Sequence, residues 1–489
     1  MASARLGGAA LEASDEFFAS RENLVNPARP IWDEDRYTDR GKWMDGWESR
    51  RHRAPDYDWC VVRLGLPGVV DGVVVDTAYF RGNYPEECSL DGCAVAEGQT
   101  WQEAEWMEIL PRRPLQGNFE NKFAIECPYR LTHVRLNIYP DGGVARLRVH
   151  GQAVPEWMAP GTPPEELDLA ALQNGAEALL CSDMFFSSRH NLVMTGHATH
   201  MGDGWETRRR RAPGHEWAIV RLATEGIVEQ VDVDTSHFKG NAPKTCWIEV
   251  CTTDELSAEH AEWRPLLSEV DLSPDRLHRF FRKLEKAGPA THLRVNIAPC
   301  GGVARLRAWG VTTENGRIGS ALRWLNTLFP AAAAEMLKRC CGSTKWTERM
   351  VAARPFTSPD HLFENGDQIW WELEESDWRE AFAAHPPIGS RKENVHQDAH
   401  ASEWSRKEQA GTAATGAAVL TRLEEANREY RDKFGYTFIV CATGRTGDEM
   451  LEILETRLRN EPAAEVRRAA TEQSAITRLR LEKLLRSPQ

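Results

Sequence analysis

Apolar and polar residues alternate in short runs through residues 1–310, whereas beyond residue 312 apolar residues recur every three to four positions. The first pattern belongs to half-buried strands and the second to amphipathic helices. His133-Val134-Arg135-Leu136-Asn137-Ile138 and Val144-Ala145-Arg146-Leu147-Arg148-Val149 alternate at period two. Trp59-Cys60-Val61-Val62-Arg63-Leu64 and Val73-Val74-Val75-Asp76 are shorter runs rich in β-branched residues. Pro140-Asp141-Gly142-Gly143 suits a hairpin or bulged loop, where glycine permits positive φ. The alternation makes Trp59 and Trp217 expected core anchors. Glycines 142, 143, 301 and 302 are expected to meet turn requirements.

Beyond the polar stretch Thr312–Arg317, Leu322, Leu325, Leu328 and Phe329 predict an amphipathic helix continuing through Met336 and Leu337. Val419, Leu423, Ala426, Tyr430 and Phe434 predict a second. Met450, Ile453, Leu454 and Leu458 predict a third, with Thr446 and Glu449 as its capping box. Val466, Ala470, Ile476, Leu479 and Leu484 predict the last. The apolar run Phe438–Ala442 is expected to be a buried connector.

The β region is one module copied in tandem. Residues 45–88 align with 203–246 at a constant offset of 158, with 24 identities in 44 positions. The pairing resumes at THVRLNIYPDGGVARLRVHG (132–151) and THLRVNIAPCGGVARLRAWG (291–310). About 130 short-stranded residues per copy indicates a β-sandwich or jelly roll. The expected organisation is an N-terminal tail at 1–19, repeats at 20–155 and 185–312, linkers at 156–184 and 313–321, and a helical domain at 322–486. The fold class is therefore multidomain, all-β followed by all-α.

Composition adds limits. The 489 residues carry a net charge of −13, which argues against a general phosphate-backbone binder. Arg208–Arg211 is a basic run inside a repeated loop, so no nucleic-acid partner is expected. No apolar run approaches the ~18–20 residues of a membrane span, and a secretory signal is not supported. A cytoplasmic location is the expectation. Eleven cysteines without a Cys-x-x-Cys pair read as reduced packing residues.

Candidate chemistry in the repeats lies in polar residues retained by both copies. The first offers Glu48, Arg50, Arg51 and Asn83, and the second Glu206, Arg208, Arg209, Asn241 and Asn296. Arginine forks bind carboxylates bidentately, and asparagine amides both donate and accept toward ureido groups. The competing reading is a set of salt bridges tying loops to strands. At DGWE-S/T-RR, DT-x-x-F-R/K-GN-x-P and N-I-x-P-x-GGVARLR, each present twice, residues 20–312 resemble allantoicase. That resemblance implies two galactose-binding-like jelly rolls and a small anionic ureide, allantoate, split into ureidoglycolate and urea. A carboxylate such as Glu48 or Glu206 is then a candidate base for water attack. Metal assistance would suit this chemistry, but no tight His/Asp cluster marks a site and no metal ligand is assigned. Asp141 against Cys300, and Tyr79 against His237, are differences that could make the copies unequal.

In the helical domain, His385-Pro386-Pro387 puts a histidine before a rigid stop. Ser405 and Glu408, at i,i+3, share a helix face, with Gln409 beside them. HPPIG, S-x-x-EQ-x-G, FG-x-x-FIVCA and the terminal I-x-x-LRL-x-KL resemble the decarboxylase of 2-oxo-4-hydroxy-4-carboxy-5-ureidoimidazoline (OHCU), over residues 322–486. The resemblance implies an all-helical fold that makes (S)-allantoin without a cofactor. The substrate's own ring imine accepts the electrons left by CO2. His385 suits general acid/base work, with Glu408 orienting it or accepting the substrate hydroxyl. Pro386, Ser405, Gln409 and the segment Phe438, Ile439, Val440, Cys441 and Ala442 would bind substrate. Arg480 would hold an anionic group, with Arg445 its rival.

The expectation is a bifunctional enzyme of purine catabolism and a homo-oligomer. In the alternative, only the decarboxylase is catalytic and the tandem jelly rolls bind a ligand.

Overall fold

Each repeat is built around one 19-residue strand, Asp58–Asp76 in the first and Glu216–Asp234 in the second. The structure, a computed structural model, describes the chain except residues 53–55, 162–163, 256–257, 259, 387–416 and 487–489. It divides into two compact units, Met1–Thr327 and Leu328–Gln489.

The first half of the long strand Asp58–Asp76 pairs antiparallel with Ala9–Ala13 and Arg130–Tyr139. Its second half pairs with Arg146–Ala153 and Glu120–Ala124. The register slips between Arg63 and Gly68, so one strand serves both layers of a jelly roll. Glu216–Asp234 does the same in repeat 2, beside Glu177–Cys181 and Ala290–Ala298, then Arg305–Thr312 and Leu277–Phe280. The inward positions of these strands form the core, among them Val220, Val231, Val233, Leu293 and Val295.

The core tryptophans differ from expectation. Trp59 and Trp217 are half-buried because the alternation turns them to an outer face, where Trp59 meets Trp101 with ring centroids 6.2 Å apart. The buried anchors are Trp47 and Trp205, both 0% exposed. Their indole N–H groups donate to the Asp15 and Asp183 carbonyls at 2.8 Å, which removes the cost of burying a polar nitrogen.

Segments expected as tail and linkers are structured. Residues 1–19 supply the edge strand Ala9–Ala13, and 156–184 supply Leu167–Asp168 and Glu177–Cys181, both in the sheet of repeat 2. Helix α1, Glu314–Thr327, spans the expected linker at 313–321. It docks on the repeats because Gly316 admits the Glu225 carbonyl, which a Cβ would approach to 2.1 Å. The Arg130 guanidinium also stacks over Trp324 at 4.6 Å. The helix expected through Leu337 is broken by Pro330, whose ring starts a second helix.

The second unit contains α2 (Pro330–Lys338), α3 (Thr344–Ala352), α4 (Pro359–Trp371) and α5 (Glu375–Ala383). After residue 416 come α6 (Ala417–Phe434), α7 (Gly447–Arg457) and α8 (Pro462–Arg486). The capping box of Thr446 and Glu449 opens α7. Helix α8 packs on α4, where the Trp370 indole donates to the Ala470 carbonyl at 3.0 Å. No helix among the described residues is long and apolar enough to cross a membrane.

Candidate active sites

Three sequence motifs far apart in the chain meet at one point of each repeat. In the first, the ribbon Trp47–Glu48 pairs with Gly143–Val144, bringing DGWE against the GG motif. The Gly143 N–H donates to the Asn83 carbonyl at 2.7 Å, which brings in the FRGN loop. The glycines are required by close approach. A Cβ on Gly142 would lie 2.8 Å from the Asn83 carbonyl oxygen, and one on Gly143 1.9 Å from the Phe80 ring. Gly142 also has φ 139°, and Gly301 φ 141°.

The result is an acid–amide pair. Asn83 Nδ2 donates to Glu48 Oε1 at 2.7 Å, and Asn241 donates to Glu206 in the same way. Burial raises the Glu48 carboxyl above its ordinary value, partly offset by the Asn83 hydrogen bond. Arg51 and Arg209, three residues beyond these acids in sequence, are exposed and make no ion pair among the described residues.

The other expected residues are engaged in the fold. Arg50 donates through Nε to Asp15 at 2.7 Å, and Arg208 to Asp183 at 3.0 Å, fixing the strand that opens each repeat. Asn296 is buried and donates to Glu249 Oε2 at 2.9 Å, within the sheet and beside Arg294. Among the described residues no group of three or more His, Cys, Asp or Glu is arranged to hold a metal ion.

Sequence reasoning passed over His52. Its Nε2 lies 2.8 Å from Asp58 Oδ2, and its backbone N–H donates to Asp141 Oδ2 at 2.6 Å. Burial lowers the imidazole's pKa, but Asp58 and the neighbouring carboxylates outweigh it, so the net shift is upward. The available signal was the mismatch of His52 with Arg210 in otherwise matching motifs.

In the helical unit, His385 lies two residues past the end of α5, its N–H donates to the Phe382 carbonyl at 3.1 Å, and Pro386 follows. The turn Cys341–Ser343 backs this end: a Cβ on Gly342 would come within 2.4 Å of the Ala384 side chain. Burial pushes the Cys341 thiol up to about 11, while Thr477 and the Arg480 charge act the other way. The same turn therefore lies against the end of α5, and its Cys341 thiol reaches Thr477 on α8, three residues before Arg480. Ser405, Glu408 and Gln409 lie outside the described residues.

Phe438, Ile439, Val440 and Ala442 are buried, and Cys441 is half-buried. Arg457 Nη1 donates to the Ile439 carbonyl at 2.7 Å and pairs with the fully buried Glu465. The Cys441 N–H donates to Glu472 at 2.9 Å. Glu472, Gln473, Thr477 and Arg480 form a buried polar stripe on α8. A purely amphipathic helix would place apolar residues there. The sequence pattern singled out only Arg480, because polar residues on a helix ordinarily read as its solvent face. Arg445 is half-buried in the turn after Ala442.

Two chemistries are housed in separate units, a hydrolase in the repeats and a decarboxylase in the helices. The allantoicase repeat family matches residues 1–154 and 167–313, and the OHCU decarboxylase family matches 326–482. A probable allantoicase from Burkholderia mallei (strain ATCC 23344) is 45% identical over 63% of this chain and 93% of its own length. One from Pseudomonas paraeruginosa (strain DSM 24068 / PA7) is 47% identical over 63% and 95%. The crystal structure of Saccharomyces cerevisiae allantoicase is 35% identical, covers 63% of this chain and 92% of that one, and has a TM-score of 0.53. An OHCU decarboxylase crystallised in the presence of (S)-allantoin is 38% identical over 32% of this chain and 99% of its own, with a TM-score of 0.28. The chain belongs to the allantoicase family and carries an OHCU decarboxylase domain behind its two repeats. It thus joins two enzymes of purine catabolism in one polypeptide.

Proposed function

We propose that the repeats hydrolyse allantoate to (S)-ureidoglycolate and urea at the acid–amide loops, and that the helical unit converts OHCU to (S)-allantoin. The observation that carries the first reading is the hydrogen bond of Asn83 to Glu48, with the exposed Arg51 three residues further along the chain. The Glu48 carboxylate takes a proton from water, Asn83 holds it in place, and Arg51 receives the substrate carboxylate. Glu206, Asn241 and Arg209 offer the same groups in repeat 2. Arg50, Arg208 and Asn296 act by positioning, in keeping with their partners inside the fold.

The second reading is carried by His385 just after α5, backed by the turn whose Cys341 reaches Thr477, three residues before Arg480 on α8. As CO2 leaves, the carbon–carbon bond electrons pass into the ring imine. His385 handles the hydroxyl proton and delivers one to a single face of the resulting enol, assisted by Glu408. Arg480 holds the anionic end, a role that its burial supports over Arg445. Pro386, Ser405, Gln409 and Phe438–Ala442 shape the ring and ureido site. No cofactor enters either scheme.

The domain boundaries that follow are the repeats with α1, through Thr327, and then the decarboxylase. The chain is read as a cytoplasmic enzyme of small ureides, and its net charge of −13 argues against nucleic acid or an anionic membrane surface as partner. A homo-oligomer is expected to show by light scattering as a mass above the 55.2 kDa of one chain.

The test is product analysis with the full-length protein. Urea should appear from allantoate, and OHCU should yield (S)-allantoin faster than it decays alone, followed by circular dichroism. Absence of urea would leave the repeats as a binding module. Formation of racemic allantoin at the uncatalysed rate would overturn the decarboxylase reading.

A further inference from the structure

The two repeats differ in a correlated way at three positions remote in sequence. Repeat 1 has His52, Asp58 and Asp141, and repeat 2 has Arg210, Glu216 and Cys300. In the fold these three positions touch. Asp58 binds the His52 ring at 2.8 Å, and Asp141 accepts from the His52 backbone at 2.6 Å. Arg210 Nε donates to Glu216 at 2.7 Å, and its backbone N–H to Cys300 Sγ at 3.2 Å. The acid is anchored alike in both copies: Ser14 donates to Asp58 at 2.7 Å and Ser182 to Glu216 at 2.6 Å. The architecture is retained, and what changes is the basic group it carries.

That change has a chemical meaning. An imidazole bound to a buried carboxylate can give up and regain a proton near neutral pH, and the carboxylate fixes its orientation. A guanidinium keeps its proton throughout the accessible pH range. His52 remains partly exposed, with 28% of its side chain accessible, and its Nδ1 makes no hydrogen bond among the described residues. It shares the backbone of residues 141–143 with the candidate base, since Gly143 faces Glu48 across the ribbon and Ser49 bonds to Gly142.

We propose that repeat 1 is the hydrolytic copy, with His52 as the proton donor to the departing ureido nitrogen, and that repeat 2 lacks this chemistry. Water attacks the carbon that bears both ureido groups. The new carbon–oxygen bond forms as one carbon–nitrogen bond breaks. Glu48 takes a proton from the attacking water, and protonated His52 gives one to the nitrogen that leaves as urea. Proton exchange with solvent then returns both residues to their starting states. In repeat 2, Arg210 stays protonated and paired with the buried Glu216, so this position has no proton to give to a leaving nitrogen.

The inference rests on the reading of these loops as the allantoate site, and the experiment separates the two. Urea release is measured on full-length wild type, His52→Gly, His52→Arg and Arg210→Gln. If wild type releases no urea, the site reading itself fails. If wild type is active, His52→Gly is expected to lose at least 100-fold in kcat with KM within about threefold, which general acid loss would produce. Added imidazole should restore part of that rate, an effect that a merely structural histidine would not give. His52→Arg, a residue that repeat 2 already accommodates at position 210, should keep the wild-type unfolding temperature while losing activity. Arg210→Gln, which breaks an ion pair in the copy without chemistry, should leave both kcat and KM for urea release within about threefold of wild type. Retained kcat in His52→Gly, loss without imidazole rescue, or an equal kcat loss in Arg210→Gln would overturn the proposal.

Discussion

Asn83 donates a 2.7 Å hydrogen bond to the Glu48 carboxylate, although 35 residues separate the two in sequence. Asn241 and Glu206 repeat that relationship in the second jelly roll. Burial raises the Glu48 pKa, while the amide favours its charged form. Glu48→Gln keeps the hydrogen-bonding shape and removes the base. It is expected to lower kcat for urea release by roughly 100-fold or more, with allantoin formation unchanged. Steady-state assays of both products on one preparation check this.

The second prediction concerns what brings Asn83 to Glu48. A methyl on Gly143 would sit 1.9 Å from the Phe80 ring, whereas one on Gly82, in the same loop region, meets nothing within 4 Å. Gly143→Ala should cost about 1–3 kcal/mol through overpacking and depress urea release, while Gly82→Ala should leave folding stability near wild type. Thermal unfolding of the two variants side by side provides the comparison.

In the helical unit, Arg457 and Glu465 are both nearly or fully buried and lie 2.7 Å apart, with Arg457 also holding the Ile439 carbonyl. Removing one member strands the other's charge, which typically costs about 3–5 kcal/mol. Arg457→Met should destabilise this unit by that order and lower (S)-allantoin formation, because the Phe438–Ala442 segment loses its anchor. Denaturant unfolding, with urea release as the unaffected reference activity, is the measurement.

A fourth prediction is a pH dependence. Burial, together with the Arg63 charge, lowers His133 to about 4. The native state thus favours the neutral ring. Its stabilising contribution is complete above the unfolded value of ~6.5 and disappears as pH falls from there toward 4, amounting to about 3 kcal/mol. Urea unfolding midpoints of the repeats should fall over that window, and His133→Gln should flatten the fall.

Much of this was legible from periodicity and duplication. The two β modules, the helical tail and the Thr446–Glu449 cap follow from short-range pattern. The tryptophan assignment failed because alternation identifies two faces of a strand without saying which is inner: Trp59 turned outward and Trp47 took the core. The linker at 313–321 read as polar, yet it folds into α1 because Gly316 fits against Glu225. Arg50 and Asn296 looked like ligand groups by residue type. Their partners Asp15 and Glu249 are long-range and became visible only once the sheets had formed. The buried polar stripe of α8 was hidden for the same reason.

The central claim is that one chain carries two independent active sites, and the most direct measurement assays both products from full-length Glu48→Gln and His385→Ala. The account predicts that Glu48→Gln loses urea release but makes (S)-allantoin at the wild-type rate, and that His385→Ala does the reverse. Loss of both activities in either folded variant, or loss of neither, would contradict it.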